Sequence, residues 1–469
     1  MKNLMIAAAV AAALAQLPAA AQAASPNDLA EIREQLQGLM QRVDKLEAEN
    51  QALKTENQQL KTQGDQLQAQ SEYLRSETKG LRKENAQQSA DADKVKGTDW
   101  ASKVTVTGDV RYRYEAISDD TLNAAPPAGV TTADRYRDRI RARLAVTAKA
   151  TDNLTVGLGL TSAEGGDPRS GNQSLTNVFS KKPIEIDLAY FDWKFASWGN
   201  LIGGKMKQPF VKGAQNLFWD NDITPEGVAF TFSRGIWFGS AYNFWLQEVS
   251  GAENTVTSDP MMHGAQIGVK LPISSSTLTL AAHYYDLSSA QGRQGAAAPF
   301  FNANANNNTT TGTGATLALL NDYEVFDVLA QFDTMLGTMP FQIWAEAAQN
   351  QSPSGFVNPP ANTVANDQDT AISAGFLLGK ASNPKTWEFG AMYQKVEKDA
   401  LFAQLIDSDF AGGFADNEGY VVRAGFAPVR NWVLNATYFI NQRNVERANG
   451  AGQTEVDYNR LQLDFNVKF

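Results

Sequence analysis

The chain has 469 residues, 43% hydrophobic and 20% charged, with a formal net charge of −10 and no cysteine. That length exceeds one ordinary domain, so more than one unit is expected. The missing cysteine excludes disulfides, thiolate metal sites and cysteine nucleophiles, and the acidic balance argues against a nucleic-acid partner.

Lys2, the apolar run from Leu4 to Leu17 and the small-x-small triplet Ala21-Gln22-Ala23 read as a secretory signal peptide over residues 1–23. A membrane anchor is the alternative, but the run is shorter than the ~20 apolar residues a spanning helix needs. No later segment approaches that length.

From Leu29 one heptad frame holds for more than seven repeats. Its d positions are Ile32, Leu39, Leu46, Leu53, Leu60, Leu67, Leu74 and Leu81. Its a positions are Leu29, Leu36, Val43, Asn50, Asn57, Gly64, Ser71 and Thr78. A leucine ladder of period seven predicts a left-handed coiled coil. In a parallel, in-register pair the g residue meets the e residue five positions on. Those pairs are Asp28 with Arg33, Arg42 with Glu47, Glu49 with Lys54, Glu56 with Lys61, and Glu77 with Arg82, all of opposite sign. Residues 24–97 are therefore expected to form a homo-oligomeric coil and linker, on the order of 80 Å long. The a seam is poor from Gly64 onward, so the first four heptads should carry the association. A single solvated helix is the alternative and leaves the charge matching unexplained.

After Gly97 the period becomes two. Val104, Val106, Val110, Tyr112 and Tyr114 alternate with Thr105, Thr107, Asp109, Arg111, Arg113 and Glu115. Tyr136, Ile140, Ala142, Leu144 and Val146 alternate with Arg135, Arg137, Arg139, Arg141 and Arg143. One face suits lipid and the other water. Strands are expected near 103–117, 134–150, 153–163, 184–196, 199–207, 226–233, 236–249, 261–271, 276–288, 321–333, 339–350, 369–380, 384–397, 416–427, 430–442 and 455–468.

Short turns at 151–152, 197–199, 234–235, 274–275, 382–383 and 429–430 alternate with long loops. The long ones are 118–133, 164–183, 208–225, 250–260, 289–320, 351–368, 398–415 and 443–454. This asymmetry predicts a mainly β fold over 98–469, a 16-stranded antiparallel transmembrane β-barrel, preceded by the α-helical coil. Trp193, Trp198, Trp237, Trp387, Trp432 and Tyr438 fall near predicted strand ends, as interfacial girdles do. A soluble β-sandwich would need none of these features. The segment IEIDLAYFDWKF changes parity between Tyr190 and Phe191, which suggests a bulge or a protein-covered outer face.

The stretches GDVRYRYE (108–115), RDRIRARLAV (137–146), GDPRSGNQSL (166–175), GGKMKQPF (203–210) and WDNDITPEG (219–227) resemble the putative porin family, relatives of the sixteen-stranded trimeric general porins. The C-terminal strand LQLDFNVKF, with its aromatic last residue, is also similar to strands that end outer-membrane barrels. The resemblance implies a Gram-negative outer-membrane location, a water-filled pore in each monomer, passive diffusion and a trimer. A polar a seam alone is compatible with two or three strands.

Barrel closure would place Arg460 of the last strand beside Arg111 and Arg113 of the first and Arg135, Arg137, Arg139, Arg141 and Arg143 of the second, as one basic wall. Lys205 and Lys207 would extend it. In the general porins the loop after the fifth strand folds inward. By that resemblance Asp220, Asp222 and Glu226 would face the arginines across a constriction and set ion preference. Two alternatives stand beside this: the acids cap an external loop, or the arginines form a scaffold of salt bridges. His263 and His283 show no serine or carboxylate constellation, so no enzyme, metal or cofactor is expected. The expected partners are further copies of the chain, outer-membrane lipid and, through a periplasmic coil, peptidoglycan. A barrel serving only as an anchor is the competing reading.

Overall fold

The computed structural model describes residues 26–94, 101–119, 134–163, 167–248, 259–293, 305–312, 316–352, 368–445 and 455–469. The signal peptide and the end of the linker lie outside the described residues. The chain divides into two compact units, Met1–Thr98 and Asp99–Phe469.

In the first unit, α1 (Pro26–Lys94) is one continuous helix of 69 residues. Proline suits its first position, where no backbone N–H is needed, and Glu, Gln, Lys, Leu and Ala favour the interior. Its ladder is bare in the single chain: Val43, Leu46, Leu53, Leu60 and Leu67 are between 51% and 66% exposed. Ile32, Leu39, Leu74 and Leu81 also lie on this helix.

The second unit is a closed antiparallel barrel of sixteen strands. They are β1 (Val104–Asp119), β2 (Arg135–Thr151), β3 (Leu154–Ser162), β4 (Ile184–Ala196), β5 (Gly199–Lys205), β6 (Glu226–Arg234), β7 (Trp237–Trp245) and β8 (Met261–Ile273). The rest are β9 (Ser276–Ser288), β10 (Glu324–Leu336), β11 (Met339–Asn350), β12 (Thr370–Gly379), β13 (Thr386–Val396), β14 (Asn417–Val429), β15 (Trp432–Arg443) and β16 (Val456–Lys468). Each pairs with its sequence neighbours, and β1 pairs with β16 to close the ring. A two-residue strand, Gln173–Ser174, adds to β2 from the loop after β3. The tenth strand starts and ends three residues later than expected.

Connections after even-numbered strands are short, with two residues at 235–236, 274–275, 337–338 and 430–431. The left-handed conformations these turns need fall on Gly235, Ser274, Gly337 and Asn431. Connections after odd-numbered strands are long. The barrel thus begins and ends on its short-turn side.

The outer face carries exposed apolar side chains, among them Val110, Leu158, Ile267, Ile343, Val422 and Phe465. Trp193, Trp198, Trp237, Trp387 and Trp432 are also exposed near the short turns, with Trp198 edge-on to Phe195 at 5.6 Å. Tyr136, Tyr284, Tyr420 and Tyr438 are exposed nearer the long loops. An apolar belt between two aromatic rows matches a bilayer's hydrocarbon core and interfaces.

The parity change in β4 lies earlier than expected. Register against β3 shifts between Gly159 and Leu160, which pair with Leu188 and Ile186, so the bulged residue is Asp187. Ile184 and Ile186 face outward before it, and Phe191 and Trp193 after it. Leu188 and Tyr190 therefore turn inward, and Tyr190 lies over Gly157, where a Cβ would meet the ring at 2.4 Å. The pattern misleads because hydrophobic Leu188 and Tyr190 belong to the lumen face.

Candidate lumen site

Strand alternation points Asp109, Arg111, Arg113 and Glu115 of β1 inward, with Arg137, Arg139, Arg141 and Arg143 of β2 and Arg460, Gln462 and Asp464 of β16. Arg111 lies directly opposite Arg141, and Arg113 opposite Arg139. Like charges at such positions repel, so the wall requires acids between them.

Those acids are on the same strands. Glu115 is fully buried and accepts from Arg137 and twice from Arg460, whose Nε lies at 2.9 Å. Arg139 Nη1 is 4.0 Å from Glu115. Asp109 joins Arg141 at 2.9 Å to Arg143 at 2.7 Å. Asp464 receives Arg113 through two parallel bonds of 2.6 and 2.8 Å. Arg111 donates to Asn172 Oδ1 at 2.6 Å. Arg135 is exposed at the long-loop end of β2.

The loop 206–225 crosses the lumen. Val211 exchanges two hydrogen bonds with Gln266 of β8, at 2.8 and 2.6 Å. Gly213 N donates to Glu346 of β11 at 2.7 Å, and Leu217 N to Gln394 of β13 at 3.3 Å. The far end reaches β2, where Asp222 sits 3.4 Å from both Arg141 and Arg143. Phe210 packs on the His283 ring at 4.7 Å, and His283 Nε2 hydrogen-bonds Tyr242 Oη at 2.8 Å.

The three expected loop acids take different positions. Asp222 meets the arginines. Asp220 is buried and instead accepts from the backbone of Asp222 and Ser408, each at 2.9 Å. Glu226, at the start of β6, pairs with Lys205 at 2.9 Å.

A second loop, 397–416, also folds inward. Asp409 bridges Arg113 at 3.0 Å and Arg460 at 2.8 Å. Arg169 of the loop after β3 holds it by donating to the carbonyls of Ala403 and Gly413, at 3.2 and 3.3 Å. Asp407 N donates to Leu217 O at 3.1 Å and Asp220 N to Leu405 O at 2.8 Å, so the two loops are clamped together. Phe218, Trp219, Phe402 and Ile406 form part of a buried core on this side.

Burial pushes the Asp407 carboxyl up to about 6, with Asp409 adding repulsion. Asp220 is raised well above the usual carboxylate range by burial and by Asp407 and Asp222. Burial opposes ionisation of Asp409 too, but the Arg460 and Arg113 guanidiniums hold its carboxyl well below that range. Lys212, held by Gln208 Oε1 and Trp219 O, is lowered to about 8 by burial.

Two cavities border the arginine wall. One, of about 430 Å³, is lined by Arg111, Arg113, Arg141, Asp222, Asp409 and Arg423 among others. The other, of about 230 Å³, is lined by Arg141, Arg143, Asp187, Lys205, Asp222 and Glu226 among others. Arg141, Arg143 and Asp222 border both. Of the residues expected from the sequence, Arg111, Arg113, Arg137, Arg139, Arg141, Arg143, Arg460 and Asp222 lie together here. Asp109, Glu115 and Asp464, which share the arginines' parity, join them without having been expected, as do Asp409, Arg169 and Arg423.

The family described as putative porin matches residues 117–339. The chain is similar to the solved structure of OprB from Pseudomonas putida, with 13% identity over 79% of this chain and 95% of that one, at a TM-score of 0.49. It is similar to the outer membrane channel DcaP of Acinetobacter baumannii, with 13% identity over 78% and 97%, at 0.45. For the trimer form of Vibrio cholerae OmpT, an outer membrane protein, the values are 10%, 78%, 100% and 0.44. No curated protein matches the chain.

Proposed function

We propose that this chain, which resembles the putative porin family and closes into a sixteen-stranded barrel, is a Gram-negative outer-membrane porin passing small hydrophilic solutes and ions down their gradients. The observation that carries this is the 430 Å³ lumen cavity walled by guanidiniums and carboxylates rather than apolar side chains. A barrel needed only as an anchor gains nothing from so many charges taken out of water. Proteoliposomes loaded with an impermeant polymer should swell in small sugars. Swelling no faster than protein-free vesicles would reject diffusion through the lumen.

One observation favours the anchor reading. The clamped loops 206–225 and 397–416 bring Phe218, Trp219, Phe402 and Ile406 into one core inside the long-loop end. If that core shuts every route, the charged wall serves as scaffold, and the swelling assay separates the two readings.

The bare leucine ladder of α1 and the opposite g–e charges support a parallel coil between copies of the chain, and the porin resemblance supports three copies. The barrel begins on its short-turn side, which supports a periplasmic coil within reach of peptidoglycan. Deleting residues 24–97 should abolish co-sedimentation with peptidoglycan sacculi, and unchanged retention would reject the tether.

A further inference from the structure

Most of the wall's arginines are already engaged with acids, which changes where a solute can be held. Arg113 and Arg460 share Asp409 and also hold Asp464 and Glu115. Arg137 rests on Glu115, and Arg141 and Arg143 share Asp109 and Asp222. A guanidinium already bound to carboxylates has little left for a passing anion.

Arg423 is different. It lies on β14, joined to the wall through Thr437 opposite it and then Gln462. It lines the 430 Å³ cavity, is half-buried, and makes no hydrogen bond or close ion pair among the described residues, although Glu388 and Asp407 attract it from farther away. Its Nε is shut away from solvent with no acceptor. Glu388 on the neighbouring strand turns its carboxylate to Ala381 N at 3.2 Å. Arg111, lining the same cavity, comes closest to it in this respect. Its close partner is the neutral Asn172 amide, its Nε also lacks an acceptor, and Asp464, 4.0 Å away, is already chelated by Arg113.

We infer that Arg423, assisted by Arg111, forms an oxyanion subsite inside the lumen that receives a carboxylate or phosphate group of a passing solute. The planar fork of a guanidinium matches the two oxygens of such a group. The Arg423 Nη groups make no hydrogen bond among the described residues and are not shut away as its Nε is, so a solute that supplies acceptors is favoured there. Anion preference then rests on Arg423 and Arg111 and only weakly on the rest of the wall.

This inference rests on the pore reading, and the test keeps the two apart. The purified full-length protein is placed in planar bilayers in potassium chloride, with inorganic phosphate as the probe. Phosphate should reduce the chloride current of the native channel. Arg423→Gln should raise the half-blocking phosphate concentration about tenfold, the loss of one charged hydrogen-bonding group, and shift reversal potential toward cations. Arg423→Lys, which keeps the charge without the fork, should retain the reversal potential but lose most of the block. Lys385→Gln, which removes a positive charge from a short turn, should change neither. A conducting Arg423→Gln channel with native block and selectivity overturns the subsite and leaves the pore intact. If that variant does not insert, native-like block in Arg423→Lys overturns the role of the fork. A native protein that never conducts overturns the pore reading itself.

Discussion

Arg113 and Asp464 stand directly opposite each other on β1 and β16, and their two parallel hydrogen bonds join the first strand of the barrel to the last. Both side chains are about nine-tenths buried, at 6% and 10% exposure, so the pair lies where the ring closes and away from bulk water.

Breaking this pair on one side should weaken closure. Asp464→Leu leaves Arg113 with Asp409 alone, and removing one partner of a buried pair costs about 3–5 kcal/mol. The temperature at which the folded band is lost on a semi-native gel should fall. Arg113→Met combined with Asp464→Leu should cost less than the two single changes added together. Simple additivity would show that the pair does not act as a unit.

The tip of loop 206–225 is held at Gly213. A Cβ there would come within 2.5 Å of Trp344 Cδ1 and 2.8 Å of Glu346 Oε2, the acceptor of its own N–H. Gly213→Val should therefore lift the loop, losing a charged hydrogen bond worth about 1.5–3 kcal/mol. Larger sugars should then enter proteoliposomes faster. Unchanged size selection would mean that the loop does not set the constriction.

Lumen charge should depend on pH through Asp407 and Asp220, both raised above the ordinary value of 3.8, Asp407 to about 6. A raised carboxyl stabilises the fold in its protonated form. That contribution is present below the unfolded value and is lost as pH rises through the folded one. Acidification from pH 7 to 5 should tighten the contact between the loops and remove negative charge from the lumen. Reversal potential should move toward anions, and Asp407→Asn should flatten that response. A native-sized shift in Asp407→Asn would assign it to other groups.

The sequence has no cysteine, so the coil can be tested by adding one. Leu53→Cys and Leu60→Cys lie on the bare seam, 56% and 57% exposed in the single chain. Parallel, in-register helices should give disulfide-linked chains at both positions under mild oxidation. Linkage at neither position would contradict a parallel seam.

The strands were legible because lipid and water impose opposite chemistry on alternate residues, and two-residue turns leave their strands little freedom of register. Legibility failed where a residue defied that alternation. Leu188 and Tyr190 are apolar yet face the lumen, so the hydrophobic pattern points to a bulge later than its true place at Asp187. The arginines were conspicuous, while Asp109, Glu115 and Asp464 hid in the same alternation. Asp409 could not be found by pattern. It meets Arg113 from 296 residues away, through a loop whose backbone is fixed by Arg169 rather than by any periodic signal.

The most direct test is single-channel recording of the purified full-length protein in a planar bilayer. A porin of this architecture should give discrete conductance steps, with a reversal potential that shifts toward cations in Arg423→Gln. A membrane that holds the folded barrel and shows no steps would contradict the account and leave the barrel as an anchor.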